Sequence, residues 1–351
     1  MAIASIDKEI FGQINGQDVH LYTLRNLAET EIKITNYGGI ITSWTHLNRQ
    51  RKRSNIVLGF DNLTDYLGQP FYLGAIIGRY ANLIEKSAFS INGVTYPLPK
   101  NHNEHHLHGG VAGFGKKIWD VTVSNENCSI ELSYLSKHLE EGYPGNLRVK
   151  VGYELTDNNE LIITYECNTD QTTIVNLTNH SYFNLNDGFE QDILNHELLI
   201  NADFYTPTNP EKITTGEILP LIGTPFDFTK PKLIGDYIST VGGYNHNFVL
   251  RNPATQPIKA ASLAHPANGK RLDVYTDAPG LQFYTGNSLT ENFRDRSDAL
   301  LKKYSGVCLE TQQFPNAINR SNFPSTLLQP GETFKSTTIY QILDDFKSFE
   351  P

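Results

Sequence analysis

Residues 147–155 read Leu147-Arg148-Val149-Lys150-Val151-Gly152-Tyr153-Glu154-Leu155, and apolar side chains occupy almost every second position. Successive side chains of a β-strand point to opposite faces, so this alternation is typical of a strand with one buried face. The turn residues Asp157-Asn158-Asn159 follow, and a second apolar run begins at Leu161. The stretch therefore predicts two antiparallel strands joined by a short turn.

The same pattern extends outward along the chain. Asn15-Gly16 and Asn92-Gly93 each separate two alternating runs, and asparagine and glycine accept the positive φ that two-residue hairpin turns need. A helical period is almost absent, and the best candidate is a short helix around residues 61–67 with Asp61 as its N-cap. No linker rich in proline, glycine or serine interrupts the sequence. We therefore expect an all-β protein with very little helix, in which residues 1–351 form one antiparallel domain.

Composition narrows the class of protein. The net charge is −9 at pH 7, and no long basic run is present, which argues against nucleic acid as a partner. No apolar run approaches the roughly 20 residues that span a bilayer, and the first residues lack the pattern of a secretory signal. The three cysteines Cys128, Cys167 and Cys308 are too far apart in the sequence for a metal motif. We expect a cytoplasmic protein without membrane partners.

Three side chains are candidates for proton transfer. His180 lies in the phrase Thr178-Asn179-His180-Ser181-Tyr182-Phe183-Asn184, His108 precedes Gly109-Gly110, and Glu310 lies in an apolar-flanked strand. A glutamate that is partly removed from water has a raised pKa and makes a competent base near neutral pH. A single histidine or glutamate on a strand is often structural, so these residue types alone leave both roles open.

The segment 101–110 is rich in histidine and suggests a metal site as an alternative. On a regular strand His106 and His108 would share a face and could hold zinc. No second cluster of ligands is evident in the sequence, and Gly109-Gly110 indicates a close approach of the backbone to another group. We therefore expect no metal.

Aromatic and amide residues near these candidates favour a carbohydrate ligand. The rings of Tyr182 and Phe283 can pack against the C–H faces of a pyranose, and amides such as Gln282 supply donors and acceptors to its hydroxyls. Most aromatic side chains of β proteins fill the core, however, so each ring remains only a candidate.

Eight phrases in the same order resemble the aldose 1-epimerase (galactose mutarotase) family over almost the whole chain. They are Asn36-Tyr37-Gly38-Gly39, Gly78-Arg79-Tyr80-Ala81-Asn82, Leu107-His108-Gly109-Gly110, Glu141-Gly142-Tyr143-Pro144-Gly145, Thr178 to Asn184, Gly243-Tyr244-Asn245-His246-Asn247-Phe248, Gln282-Phe283-Tyr284-Thr285-Gly286 and Leu309-Glu310-Thr311-Gln312.

The resemblance implies one large antiparallel β-sandwich, the galactose mutarotase-like supersandwich, with a sugar cleft. It also implies cofactor-free interconversion of the α and β anomers of a hexose such as galactose or glucose. By this resemblance Glu310 is the general base at the C1 hydroxyl, His180 is the general acid at the ring oxygen, and His108 helps to hold the sugar. The partner implied is a small monosaccharide, and we expect a monomer or a homodimer.

The resemblance also implies sugar contacts from Asn82, Tyr182, Gln282 and Phe283, but two positions depart from the family pattern. Leu83 stands where an arginine is usual, and Asn245 stands where an aspartate is usual. Arg79, four residues before Leu83, is a candidate to replace the missing arginine. These departures leave two alternatives open: a sugar-binding or sensory protein with little turnover, and an epimerase for a different aldose.

Overall fold

The computed structural model describes residues 4–48, 50–251, 256–344 and 346–349. Strands dominate this part of the chain, which contains only two short α-helices, so the prediction of an all-β fold with very little helix is confirmed. Residues 1–3 lie outside the described residues. That residues 1–351 form a single domain stays a prediction. None of the described helices is long and apolar enough to cross a membrane.

The helices are α1 (Leu63–Gly68) and α2 (Ile238–Val241), and short 3-10 turns span Glu85–Ser87, Phe114–Lys116, Glu140–Gly142 and Ala317–Asn319. The strands are β1 (Ser5–Ile14), β2 (Gln17–Arg25), β3 (Glu31–Thr35), β4 (Ile41–Leu47), β5 (Arg53–Asn55), β6 (Ile76–Ile77), β7 (Leu83–Ile84), β8 (Ala88–Ile91), β9 (Val94–Pro97), β10 (His106–Leu107), β11 (Asp120–Ser124), β12 (Ser129–Ser136), β13 (Leu147–Leu155), β14 (Glu160–Thr169), β15 (Thr173–Ile174), β16 (Thr178–Asn179), β17 (Glu197–Ile200), β18 (Ala202–Thr206), β19 (Leu219–Pro220), β20 (Lys232–Leu233), β21 (Asn245–Leu250), β22 (Ile258–His265), β23 (Lys270–Thr276), β24 (Gly280–Tyr284), β25 (Cys308–Gln312), β26 (Leu327–Leu328) and β27 (Phe334–Asp344).

Three antiparallel sheets form the body of the fold. The first has the order β1-β2-β3-β4-β5, the second has nine strands in the order β11-β12-β13-β14-β27-β23-β22-β17-β20, and the third has the order β19-β18-β21-β24-β25. Short two-stranded pairs, among them β6 with β16 and β7 with β10, connect these sheets around the cleft described below.

The alternating stretch 147–155 is strand β13, as predicted. Leu147, Val149, Val151, Tyr153 and Leu155 are all buried, and the residues between them are exposed or half-buried. Each apolar side chain that is fully removed from water stabilises the fold by about 1.5–3 kcal/mol. The alternation therefore fixes which face of the nine-stranded sheet turns inward.

The predicted turns are also present. Asn15-Gly16 joins β1 to β2, and Asn92-Gly93 joins β8 to β9. The predicted helix occurs as α1, but its N-cap is Asn62 and not Asp61. The Asn62 side chain accepts a hydrogen bond from the amide of Asp65 at 3.0 Å, which is the contact that defines an N-cap. Asp61 lies one residue too early, and its carboxylate faces Arg296 at 3.5 Å.

A large apolar core lies between the sheets, so the large antiparallel β-sandwich expected from the resemblance is confirmed. This core joins inward side chains of all three sheets, such as Trp44 of β4, Val151 of β13 and Phe283 of β24. A buried hydrogen bond crosses the same interface, because the hydroxyl of Tyr153 donates to the carbonyl oxygen of Gly39 at 2.8 Å. This hydrogen bond links the nine-stranded sheet to the connection between β3 and β4.

Candidate active site

A cleft of about 210 Å³ opens where β7, β10, β21, β24 and β25 meet the segment after β16. This volume lies below the roughly 300–1,000 Å³ of pockets that hold drug-sized ligands, so the cleft suits a smaller molecule. The lining residues are Pro70, Phe71, Tyr72, Asn82, Leu83, His102, Leu107, His108, His180, Tyr182, Thr208, Lys212, Thr214, Asn245, Asn247, Gln282, Tyr284, Ser288, Glu310 and Pro315.

Two main-chain connections place His180 beside β25. The amide of His180 donates to the carbonyl oxygen of Ala75, and its own carbonyl accepts from the amide of Gly74, both at 2.9 Å. Three residues later, Phe183 and Val307 exchange a pair of main-chain hydrogen bonds of 2.7 and 2.9 Å. The histidine therefore lies next to a strand that is more than a hundred residues away in the sequence.

Glu310 is buried on β25, with only 2 % of its surface exposed. Burial raises the pKa of its carboxyl group from 4.5 to about 8, because the low-dielectric surroundings disfavour the charged form. Its Oε2 atom has no hydrogen-bond partner among the described residues. The desolvated glutamate that the sequence predicts is therefore present, and it keeps an oxygen free for a ligand.

His180 faces this carboxyl group across the floor of the cleft. Its Nε2 lies 3.8 Å from Oε1 of Glu310, and its ring is stacked on Tyr182 with 5.0 Å between the ring centroids. Burial lowers the pKa of the imidazole from 6.5 to about 4. Burial therefore disfavours the charged form of each group relative to its neutral form.

The opposed pKa shifts define how many protons the Glu310–His180 pair holds. Between pH values of about 4 and about 8 the pair holds a single titratable proton, and the coupled groups titrate as a unit. Burial favours the neutral arrangement, a carboxylic acid beside a neutral imidazole. The charged arrangement, a carboxylate beside an imidazolium, has the same number of protons and differs only in where the proton lies.

His108 lies on the other side of His180, with 5.3 Å between the ring centroids. The amide of Asn82 donates to Nδ1 of His108 at 3.2 Å, so the proton of the neutral ring is on Nε2. Burial, followed by the nearby His180, holds the pKa of His108 well below its usual range. His108 is therefore a neutral hydrogen-bond donor.

The backbone next to His108 has a conformation and a close contact that require glycine at position 109. Its φ is +80°, and a Cβ atom at this position would lie 1.9 Å from the carbonyl oxygen of Gly78. The close approach of backbone predicted from Gly109-Gly110 is confirmed, although the neighbour is the protein's own chain. A φ of +51° at His108 also ends the alternation of β10, so His106 and His108 do not share a face.

His106 is accordingly not a partner of His108 in a metal site. Its Nδ1 lies 2.8 Å from the carbonyl oxygen of Pro99, and its Nε2 lies 2.7 Å from the hydroxyl of Tyr143. A different set of potential ligands, from His180, Cys308 and Glu310, has its atoms within 4.8 Å of one another. Burial raises the pKa of the Cys308 thiol well above its usual range, which opposes the thiolate that a metal needs. The absence of a metal stays a prediction.

Neutral amides occupy the wall of the cleft formed by β21 and β24. Nε2 of Gln282 donates to Oδ1 of Asn245 at 2.7 Å. Oε1 of Gln282 and Oδ1 of Asn247 are buried and have no partner among the described residues. These oxygens are free to accept hydrogen bonds from ligand hydroxyls.

The opposite wall is apolar at the position where the family usually has arginine. Leu83 of β7 pairs with Leu107 of β10 in the strand register, and both residues line the cleft. Asn82 and Tyr182 also line the cleft, as predicted. Substrate contacts by these residues remain predictions.

The structure places two of the predicted sugar contacts outside the cleft lining. Phe283 is fully buried on the core side of β24 and stacks on Tyr244 with 4.8 Å between centroids, because alternation turns it away from Gln282. Arg79 is also buried, and its guanidinium donates to the carbonyl oxygens of Pro144 and Gly145 and to the hydroxyl of Ser136. Arg79 thus anchors a loop outside the cleft and does not replace the missing arginine.

Several lining residues were not among the predicted contacts. Asn247 and Tyr284 lie two positions from Asn245 and Gln282, so the period of a strand could have identified them. Tyr72, His102 and Lys212 lie outside the strands, where no period indicates the direction of a side chain.

The chain is similar to known proteins in sequence and in fold. Residues 20–341 match the family model described as aldose 1-epimerase. The chain is 41 % identical to galactose mutarotase of Rattus norvegicus over 97 % of this chain and 99 % of that protein. It is 35 % identical to aldose 1-epimerase of Escherichia coli K12 over 94 % and 96 % of the two chains. The crystal structure of galactose 1-epimerase from Lactobacillus acidophilus NCFM superimposes with a TM-score of 0.84 at 28 % identity, covering 97 % of this chain and 99 % of that one.

The raised pKa of Glu310 predicts a pH-dependent cost in stability. The folded protein binds this proton more tightly than the unfolded chain does, so the free energy of unfolding falls as pH rises from about 4.5 to about 8. Glu310→Gln removes the ionisation. Because one pKa unit is worth about 1.4 kcal/mol, the variant should be more stable than wild type by a few kcal/mol at about pH 9, with a smaller difference at about pH 5. Chemical denaturation measures both values.

The control for this comparison is Glu131→Gln, since Glu131 is a half-exposed residue in an ion pair with Lys150. A Glu310→Gln variant with the same stability difference at both pH values would contradict the buried ionisation.

Proposed function

The chain belongs to the aldose 1-epimerase family and is a carbohydrate isomerase, and from this premise we propose that it interconverts the anomers of a hexose such as galactose or glucose at the Glu310–His180 pair. One observation carries the assignment of residues: a buried carboxyl group and a buried imidazole lie 3.8 Å apart in the cleft, and burial shifts their pKa values in opposite directions. Ring opening needs one group that takes a proton and another that gives one.

In the proposed ring opening the pair begins in its charged arrangement. The Glu310 carboxylate removes the proton from the C1 hydroxyl, while Nε2–H of His180 donates a proton to the ring oxygen. The bond between C1 and the ring oxygen breaks, and C1 becomes an aldehyde carbon. The pair still holds one proton, which now lies on Glu310. Rotation of the aldehyde and the reverse transfers give the other anomer and restore the charged arrangement.

The burial of Glu310 and His180 also contributes to this reaction. Burial favours the carboxylic acid beside the neutral imidazole, and this is the state reached when the open-chain sugar is bound. The surroundings therefore lower the free energy of the open-chain state relative to the closed one. We assign to His108 the role of a donor that holds a sugar oxygen, because the proton of its neutral ring is on Nε2.

The amides of Asn245, Asn247 and Gln282 are proposed to bind sugar hydroxyls, since they offer neutral acceptors on one wall. A small sugar is thus the partner of this cleft. A cytoplasmic location, the monomer or homodimer, and the absence of nucleic-acid and membrane partners stay predictions. No step of the proposed reaction needs a cofactor.

Polarimetry with freshly dissolved α-galactose and α-glucose tests the proposal. Wild type should accelerate the approach to anomeric equilibrium, and Glu310→Gln and His180→Asn should each lower kcat by ~10² or more, because a positioned acid or base contributes about that factor. Glu131→Gln and His20→Asn make the same chemical changes outside the cleft and should retain the wild-type rate. Near-normal turnover by either cleft variant would overturn the role assigned to that residue.

A second candidate, a mutarotase for a different aldose, is favoured by the Leu83–Leu107 pair. A hydroxyl placed against two leucines has no partner on that wall, and burying an unpaired hydroxyl is unfavourable. A sugar that lacks this hydroxyl, such as a deoxy sugar or a pentose, avoids the cost.

The same assay over galactose, glucose, fucose, arabinose and xylose separates the two candidates. For the second candidate, kcat/KM of wild type should be highest on one of the last three sugars, and Leu83→Arg should shift the ratio toward galactose by about tenfold or more, because unpaired polar groups cost about 1–3 kcal/mol. Leu67→Arg, at an exposed position of α1, is the control. Galactose or glucose as the best substrate of wild type would exclude the second candidate.

A further inference from the structure

Cys308 and Glu310 are two positions apart on β25 and face the same side of the strand. They bracket the ring of His180: Sγ of Cys308 lies 3.5 Å from Nδ1, and Oε1 of Glu310 lies 3.8 Å from Nε2. All three side chains are buried. One strand therefore supplies a neighbour to each nitrogen of the same imidazole.

The direction of the hydrogen bond to Cys308 follows from the group at the other nitrogen of the ring. Glu310 faces Nε2 of His180 at 3.8 Å, and burial raises the pKa of Glu310, so its carboxyl group keeps its proton near neutral pH. Nε2 is then the unprotonated nitrogen of the neutral ring, and the sulfur of Cys308 accepts from Nδ1–H.

We propose that Cys308 is a positioning residue, which holds the proton of His180 on Nδ1 and so reserves Nε2 for exchange with the sugar. This inference rests on the proposed function and deepens it. His108 provides the contrast, because its Nδ1 accepts from the amide of Asn82 and its proton is on Nε2. The two neighbouring histidines thus have opposite tautomers: His108 donates, while His180 both takes and gives a proton.

Sulfur is suited to this position because it is a weak acceptor. A carboxylate at Nδ1 would stabilise the imidazolium and make His180 a weaker acid. Cys308 orients the ring without that effect. The other groups around the imidazole are Tyr72, His108, Tyr182 and Tyr284, whose ring centroids lie between 5.0 and 6.3 Å away. Among the described residues Glu310 is the only carboxyl group close to its ring nitrogens, at 3.8 Å.

The experiment compares Cys308→Ala, Cys308→Ser and the control Cys167→Ala in the polarimetric assay across pH. Cys167 is another buried cysteine, on β14 and away from the cleft. Loss of the Nδ1 partner in Cys308→Ala should lower kcat by about tenfold, the effect of one hydrogen bond. Serine should restore most of the rate, and it should move the acid limb of the profile to higher pH, because oxygen is the stronger acceptor.

Nitrogen NMR of histidine-labelled wild type reads the tautomer directly and needs no variant. The neutral His180 ring should carry its proton on Nδ1, and Cys308→Ala should change this population while Cys167→Ala should not. A wild-type ring protonated on Nε2, or a Cys308→Ala variant with the wild-type rate and acid limb, would overturn it. Absence of mutarotation by wild type would instead refute the proposed function, and the NMR result would still decide the tautomer.

Discussion

A carboxyl group held out of water beside a neutral imidazole is the constraint on which the site depends. Glu310 and His180 are both buried, and burial moves their pKa values in opposite directions, to about 8 and about 4. Neither shift needs a third charged group. In the proposed reaction the pair transfers a proton through a bound sugar without changing its own proton count, so the site returns to its starting state after each ring opening and closure.

The β-sandwich is what makes this arrangement possible. A strand turns every second side chain to one face, so β25 presents Cys308 and Glu310 together while Leu309 between them packs in the core. The short pair of β6 and β16 brings His180 to the same place. This arrangement lowers the free energy of unfolding at high pH. Among the residues that the structure describes, the only basic partner of the Glu310 carboxyl group is a histidine, so the group destabilises the folded state once it is charged.

The alternation of apolar and polar residues predicted the buried face of β13 well, since Leu147 to Leu155 pack as expected. The same rule, applied to β24, could have excluded Phe283 and included Tyr284 as cleft residues. It failed at His106 and His108, because the positive φ of His108 cannot be recognised from a sequence period. The hydrogen-bond partners of Arg79 also could not be predicted, since they are carbonyl oxygens more than fifty residues away in the sequence. Contacts between distant segments require the fold itself.

The pH dependence of kcat/KM for mutarotation by wild type tests the shared proton most directly, because this quantity reports the ionisations of the free enzyme. Activity should be highest while the pair holds one proton. It should fall below about pH 4, where His180 gains a second proton, and above about pH 8, where Glu310 loses the first. A profile that is flat from about pH 5 to 9, or one that continues to rise above about pH 8, would contradict the account.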